Sequence, residues 1–197
     1  METISQWFRL PTSQEHPDYC MKDLLATCRA TMRNINARYD QATIKIEDQT
    51  CSYWRGRTFS YFNEILVILL NNAFNHTGYK QELEKLEIGL KLIEDERLLR
   101  LNMMTNLSDE VDIEEVQTKT REIREKLRQY TYTKRAYSKD SGSGYIKIMN
   151  MLQNYIAPQD YVWMNFGVET DKQHFFTDII IEKRNITGEE KIEVIAD

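Results

Sequence analysis

A chain of 197 residues, 41% hydrophobic and 11% aromatic, is long enough to bury one good-sized core. Its formal net charge of -5 lacks the basic footprint that nonspecific nucleic-acid binding requires, so nucleic acid is not an expected partner. The longest apolar run, residues 65–70, falls far short of the about 18 to 20 residues of a membrane span, and no membrane association is expected. A polar, acidic start at Glu2, Ser5 and Gln6 is unlike a signal peptide and points to a cytoplasmic protein. Cys20, Cys28 and Cys51 are odd in number and lack Cys-x-x-Cys spacing, which argues for reduced thiols rather than a disulfide framework or a zinc site.

Residues 1–17 hold two of the three prolines and little periodicity, and read as an arm with Trp7, Phe8 and Leu10 as its docking residues. Met21, Leu24, Leu25, Cys28, Met32 and Ile35 then follow helical spacing to about Arg38, with Asp18 as the N-cap. Ala42, Ile44 and Ile46 alternate with polar residues as a strand does, and residues 54–58 cross a turn at Gly56. A second helix over 61–76 is nearly continuously apolar at 65–70 and turns polar at its end, with Asn71, Asn72, Asn75, His76 and Thr77 before Gly78.

Leu86, Ile88, Leu90 and Leu92 alternate along one strand and residues 98–105 form another, with a turn at 94–97 between them, which is a hairpin pattern. Asp112 is placed to cap a third helix carrying Ile113, Val116, Thr120, Ile123 and Leu127, and Glu115 to complete a capping box. Periodicity vanishes over 130–140. Ser141-Gly142-Ser143-Gly144 then opens a fourth helix through Ile146, Met149, Leu152 and Ile156, ended by Pro158. Two more strands, 161–168 and 174–182, meet at Thr170-Asp171-Lys172, and residues 192–195 suggest an edge strand. The order of elements predicts an α+β fold, a two-layer α/β sandwich with helices on one sheet face.

Two features carry chemistry. Asn72 and His76 stand four apart and share a helix face, so an amide oxygen suited to Mg²⁺ and an imidazole can address one ligand; a polar helix end capped beside Gly78 explains the same residues. The Ser-Gly-Ser-Gly turn before a helix lets backbone N–H groups approach phosphate oxygens, or it is a joint that builds no core. The segment 119–139 is locally basic, which fits a solvated helix face or a surface for an acidic partner.

Leu69-Leu70-Asn71-Asn72-Ala73-Phe74-Asn75-His76-Thr77 resembles the N-box of histidine-kinase ATPase domains, and Asp140-Ser141-Gly142-Ser143-Gly144-Tyr145-Ile146-Lys147-Ile148 resembles their glycine box. The likeness covers about residues 41–182 and is to the GHKL superfamily, the Bergerat-type ATP-binding fold shared by gyrase, Hsp-type chaperones, sensor histidine kinases and mismatch-repair proteins. It implies ATP and Mg²⁺ as cofactors, with Asn72 holding the metal, Asn75 and His76 beside the nucleotide, and Ser141, Gly142, Ser143 and Gly144 around the phosphates. It also implies that the sheet is mixed, with residues 1–40 as an arm and helix and 41–197 as the nucleotide-binding domain.

This sequence departs from that family in three places. Ile68 stands where the family has a water-activating glutamate or a second asparagine, and Glu64, one turn earlier, reads as an exposed first-turn carboxylate. Thr105-Asn106-Leu107-Ser108 replaces an Asp-x-Gly motif, leaving Asn106 to accept the adenine hydrogen bond. A charged helix at 112–128 stands where a glycine-hinged lid is usual. His16 lacks a phospho-acceptor motif and His174 sits in a strand, so an autonomous histidine kinase is not expected. The reading is a divergent ATP-binding module, a regulatory or switch domain of a larger signalling or chaperone-like protein, with slow or no hydrolysis. Its partners would be nucleotide and either a protein or other domains of a longer chain. The alternative is a nucleotide-free pseudo-ATPase serving as an interaction scaffold.

Overall fold

The computed structural model describes residues 17–130 and 144–187. Every second residue of the hairpin is apolar, and in strands β2 (Glu87–Glu94) and β3 (Leu98–Asn106) these residues, Ile88, Leu90, Leu92, Leu99, Leu101 and Met103, are all buried. Strand β1 (Thr43–Gln49) pairs with β2 in parallel, as a strand reached through a helical crossover does. Strands β4 (Val162–Glu169) and β5 (His174–Glu182) form a second antiparallel pair, and β5 lies against β3, giving the order β1-β2-β3-β5-β4. The sheet is therefore mixed.

Helices α1 (Met21–Ile35), α2 (Phe59–His76) and α4 (Gly144–Met151) contribute Leu24, Met32, Ile65, Leu69, Ile148 and Met151 to one core cluster with the buried face of the sheet. Each such side chain contributes roughly 1.5–3 kcal/mol by leaving water. The expected sandwich is the observed one. Because α1 shares this core, the boundary expected after residue 40 falls between elements that pack together. A π-helical turn, Leu152–Ile156, carries α4 on to Ala157, and Pro158, which has no N–H to donate, follows it. Helix α3 (Ile113–Tyr130) lies against β4, an edge strand.

Several local expectations are corrected. Asp18 does not cap α1: Cys20 occupies the N-cap without a side-chain bond, and the Asp18 carboxylate accepts instead from the Gly56 N–H at 3.2 Å. The helix ends at Ile35, three residues early, where Asn36 turns extended. Asp112 does cap α3, accepting from the N–H groups of Glu114 and Glu115 at 2.9 and 3.1 Å, but Glu115 does not return the bond and pairs with Lys119 one turn on. Trp54 is the middle of a small ladder, bridged to Tyr19 on one side and Thr187 on the other. Trp54 is 1% exposed, whereas Trp163 stands 51% exposed on β4.

All three cysteines are free, and burial pushes the Cys28 thiol up to about 12, leaving it an inert core residue. Among the described residues no helix is long and apolar enough to cross a membrane. The strand expected at 192–195, the arm through residue 16, and the aperiodic 131–140 lie outside the described residues.

Candidate functional site

The polar end of α2 is held at the end of β3 by a chain reversal. Thr77 closes the helix by bonding through Oγ1 to the Ala73 carbonyl at 2.7 Å, and Gly78 follows with φ of +86°. There a side chain is disfavoured twice, by the left-handed backbone and by contact: a Cβ would stand 2.7 Å from Ser108 Cβ and 2.8 Å from Val111 Cγ2. The Ser108 N–H donates to the Thr77 carbonyl at 2.9 Å, locking the two ends together. Gly78→Ala is expected to cost about 1–2 kcal/mol; urea unfolding with an unchanged midpoint would show that this junction tolerates relaxation.

Glu64, Ile68 and Asn72 recur at a spacing of four and so form one face of α2, which meets the start of α4. A Cβ on Gly144 would lie 2.6 Å from Ile68 Cγ2 and 3.2 and 3.5 Å from the Asn72 Nδ2 and Oδ1 atoms. Gly144, the last residue of the Ser-Gly-Ser-Gly sequence, is thus seated directly on the asparagine singled out from the other helix, and its expected indifference to the core is corrected. Glu64 is corrected too: it lies beyond the first turn of α2 and is paired with Lys147 on α4. Ser141, Gly142 and Ser143 lie outside the described residues.

Asn72 is half-buried, and among the described residues no hydrogen bond engages its amide. Asn75 and His76 are exposed on the last turn. Although His76 is exposed, partial desolvation by its surroundings, then the charges of Lys80 and of Lys119 on α3, lower its pKa below its ordinary value and so favour the neutral imidazole.

Asn106 is occupied elsewhere: its Oδ1 accepts from the Glu87 N–H at 2.8 Å, while Nδ2 donates to the Lys85 carbonyl at 2.8 Å and to the Tyr79 hydroxyl at 3.2 Å. Both amide hydrogens and one oxygen lone pair are used in joining the end of β3 to the start of β2. His174 stands opposite Asn106 and Glu169 in the sheet, its Nδ1 buried and without a partner among the described residues.

Sequence reasoning missed Lys147, Lys80 and Lys119 as neighbours of this face. The spacing of four that joins Glu64 and Ile68 to Asn72 was the available signal; the lysines answer it from other elements and carry none of their own.

No group of three or more His, Cys, Asp or Glu that could hold a metal is present among the described residues. A lone amide oxygen beside a helix start fits a metal arriving with phosphates rather than a free ion, since Mg²⁺ commonly uses few side-chain ligands and completes its shell from the nucleotide and water.

A mixed sheet covered by helices, with an asparagine-bearing helix set against the glycine-led start of another, is the layout of a GHKL-type, histidine-kinase-like catalytic domain. Residues 21–181 match the family described as "y4jQ C-terminal putative histidine kinase domain", and the chain belongs to that family. No curated protein matches it. The nucleotide-free catalytic domain of histidine kinase ThkA is similar in fold, with a TM-score of 0.52 at 14% identity over 85% of this chain and 95% of that one. The mycobacterial sensor histidine kinase MprB is similar at 0.50 and 12%, over 85% and 97%. ThkA in complex with the response regulator protein TrrA is similar at 0.51 and 10%, over 85% of this chain and 41% of that one.

Proposed function

We propose that this domain binds ATP with Mg²⁺ and serves as a regulatory or switch module of a larger signalling assembly, with slow or no hydrolysis. One observation carries the reading: the unengaged amide of Asn72 lies against Gly144, where the N–H groups of α4 begin. In this reading Asn72 would hold Mg²⁺, the start of α4 would receive the phosphates, and neutral His76 would flank the base. The bound metal would neutralise phosphate charge and orient the phosphates. Ile68, standing where the family likeness implies a water-activating residue, supplies no group to polarise water, which supports slow turnover.

Calorimetric titration with Mg-ATP tests the proposal. Binding is expected for the parent, with affinity falling about tenfold, or about 1.4 kcal/mol, in Asn72→Ala at nearly unchanged thermal stability. Equal Mg-dependent affinity in the folded variant would remove Asn72 from the site. A second reading, a nucleotide-free interaction scaffold, is favoured by the internal engagement of Asn106, and absence of binding by the parent would remove the first reading. For either reading a protein partner of the response-regulator class is the first to test, because ThkA is found with one.

The basic surface considered for an acidic partner is reduced within α3: Lys119 is paired with Glu115, Arg124 is docked on β4, and Glu122 and Glu125 lie among the remaining cations.

A further inference from the structure

Helix α3 packs on β4, and one of the side chains it brings there is a cation. Arg124 Nη2 donates to Asn165 Oδ1 at 3.0 Å and to the backbone carbonyl of Phe166, and its guanidinium lies 5.5 Å from the centre of the Phe166 ring. The same residue of β4 is thereby held by its backbone and by its side chain. Gly167 makes room for this: a Cβ there would stand 3.0 Å from the Arg124 nitrogen.

Phe166 in turn holds the beginning of α4. The Tyr145 ring stacks on it with centroids 4.0 Å apart and planes within 7°, and the Tyr145 hydroxyl is bonded to Thr177 Oγ1 at 2.8 Å on β5. Tyr145 follows Gly144, the residue seated on Ile68 and Asn72. A continuous set of contacts therefore runs from α3 through one phenylalanine to the junction of the two site helices.

We propose that Arg124 is a positioning residue for the start of α4: by fixing Phe166 it fixes Tyr145 and hence the seat of Gly144 on Asn72. Its consequence for nucleotide affinity rests on the function proposed above; its consequence for α4 does not.

Three variants of the full chain test it: Arg124→Met, which keeps a long apolar stem and removes the donors; Gly167→Ala, whose Cβ would crowd the guanidinium at 3.0 Å and meet the Phe176 ring at ordinary contact distance; and the conservative Arg124→Lys. Hydrogen exchange is followed at the amides of Ile148 and Met149, which close the first turns of α4, and at Leu90 and Leu101 in the central strands as controls. The expected result is exchange roughly tenfold faster at the α4 amides in the first two variants, an intermediate rate in Arg124→Lys, and unchanged controls. Mg-ATP affinity should fall in the same order.

Unchanged α4 exchange in folded Arg124→Met and Gly167→Ala, or acceleration of all four amides alike, would overturn the proposal, the latter by reducing Arg124 to a general stabiliser. Should Arg124→Met fail to fold, Gly167→Ala decides by the same comparison. If the parent binds no Mg-ATP, the nucleotide reading falls and the exchange rates still decide the role of Arg124.

Discussion

Glu94→Ala is expected to destabilise the domain by about 3 kcal/mol, the lower end of what breaking a buried ion pair costs. The Glu94 side chain is 2% exposed at the end of β2, and Lys183, just past β5, reaches it at 2.6 Å. The carboxylate also accepts from the backbone N–H groups of Cys51 and Ser52 at 2.9 and 3.0 Å and from the Ser52 hydroxyl. Removing it would strand three protein donors and a half-buried ammonium. It would also loosen the segment that carries Trp54 into its ladder and leads on to α2.

The pH dependence of that contribution has a definite sign. Burial alone would raise the Glu94 pKa, but the bonds from Lys183, Ser52 and Cys51 outweigh it and bring the carboxyl from its ordinary 4.5 down to about 2. A group whose folded pKa is depressed contributes stability in full above its unfolded value and loses it as pH falls toward the folded one. Urea unfolding of the parent should therefore weaken between about pH 5 and pH 2 more steeply than that of Glu94→Gln, whose side chain does not titrate. Parallel acid limbs for the two proteins would show that the clamp carries no such weight.

Much of the fold was legible because local pattern and tertiary burial agree. The alternation of Ile88, Leu90 and Leu92 against Leu99, Leu101 and Met103 is the hairpin itself, and the apolar run at 65–70 is the buried heart of α2. Where expectation failed, a side chain with a plausible local role had been taken by a distant or competing partner. Asp18 would serve as a cap, but the Gly56 N–H, 38 residues away, claims it. Glu115 sits correctly for a capping box, but Lys119 offers it a charge. Asn106 keeps the polarity expected of an adenine contact and spends it on the backbone of Lys85 and Glu87. Arg124 was invisible for a related reason: its main acceptor is a backbone carbonyl, which has no letter in the sequence.

The parallel pairing of β1 with β2 and the placement of β5 between β3 and β4 follow from no spacing in the chain. They were foreseeable only through the family likeness carried by the segments around Asn72 and Gly144. The site was legible at one residue's depth. Asn72 could be picked out by type, while the seat it shares with Gly144 could not, because a glycine announces a flexible joint and a tight contact in the same way.

Gly144→Ala should separate these two meanings of glycine. The new Cβ would stand 2.6 Å from Ile68 Cγ2, nearer than packed carbons approach, and 3.2 Å from the Asn72 amide nitrogen. Ile68 is β-branched and stiff about χ1, so it cannot swing away freely; the start of α4 must lift or the helices must part. A net destabilisation of about 1–3 kcal/mol is expected, after the at most about 1 kcal/mol that alanine recovers through helix propensity. Mg-ATP affinity should fall with it, since Asn72 and the first N–H groups of α4 would no longer share one seat. Ile68→Ala removes the obstructing methyls, and in the double variant the two changes should be less than additive, with a coupling of about 1 kcal/mol in a double-mutant cycle. Additive costs would mean that α4 relaxes away from α2 without resistance, and with that the contact between Gly144 and Asn72 could not define a binding site.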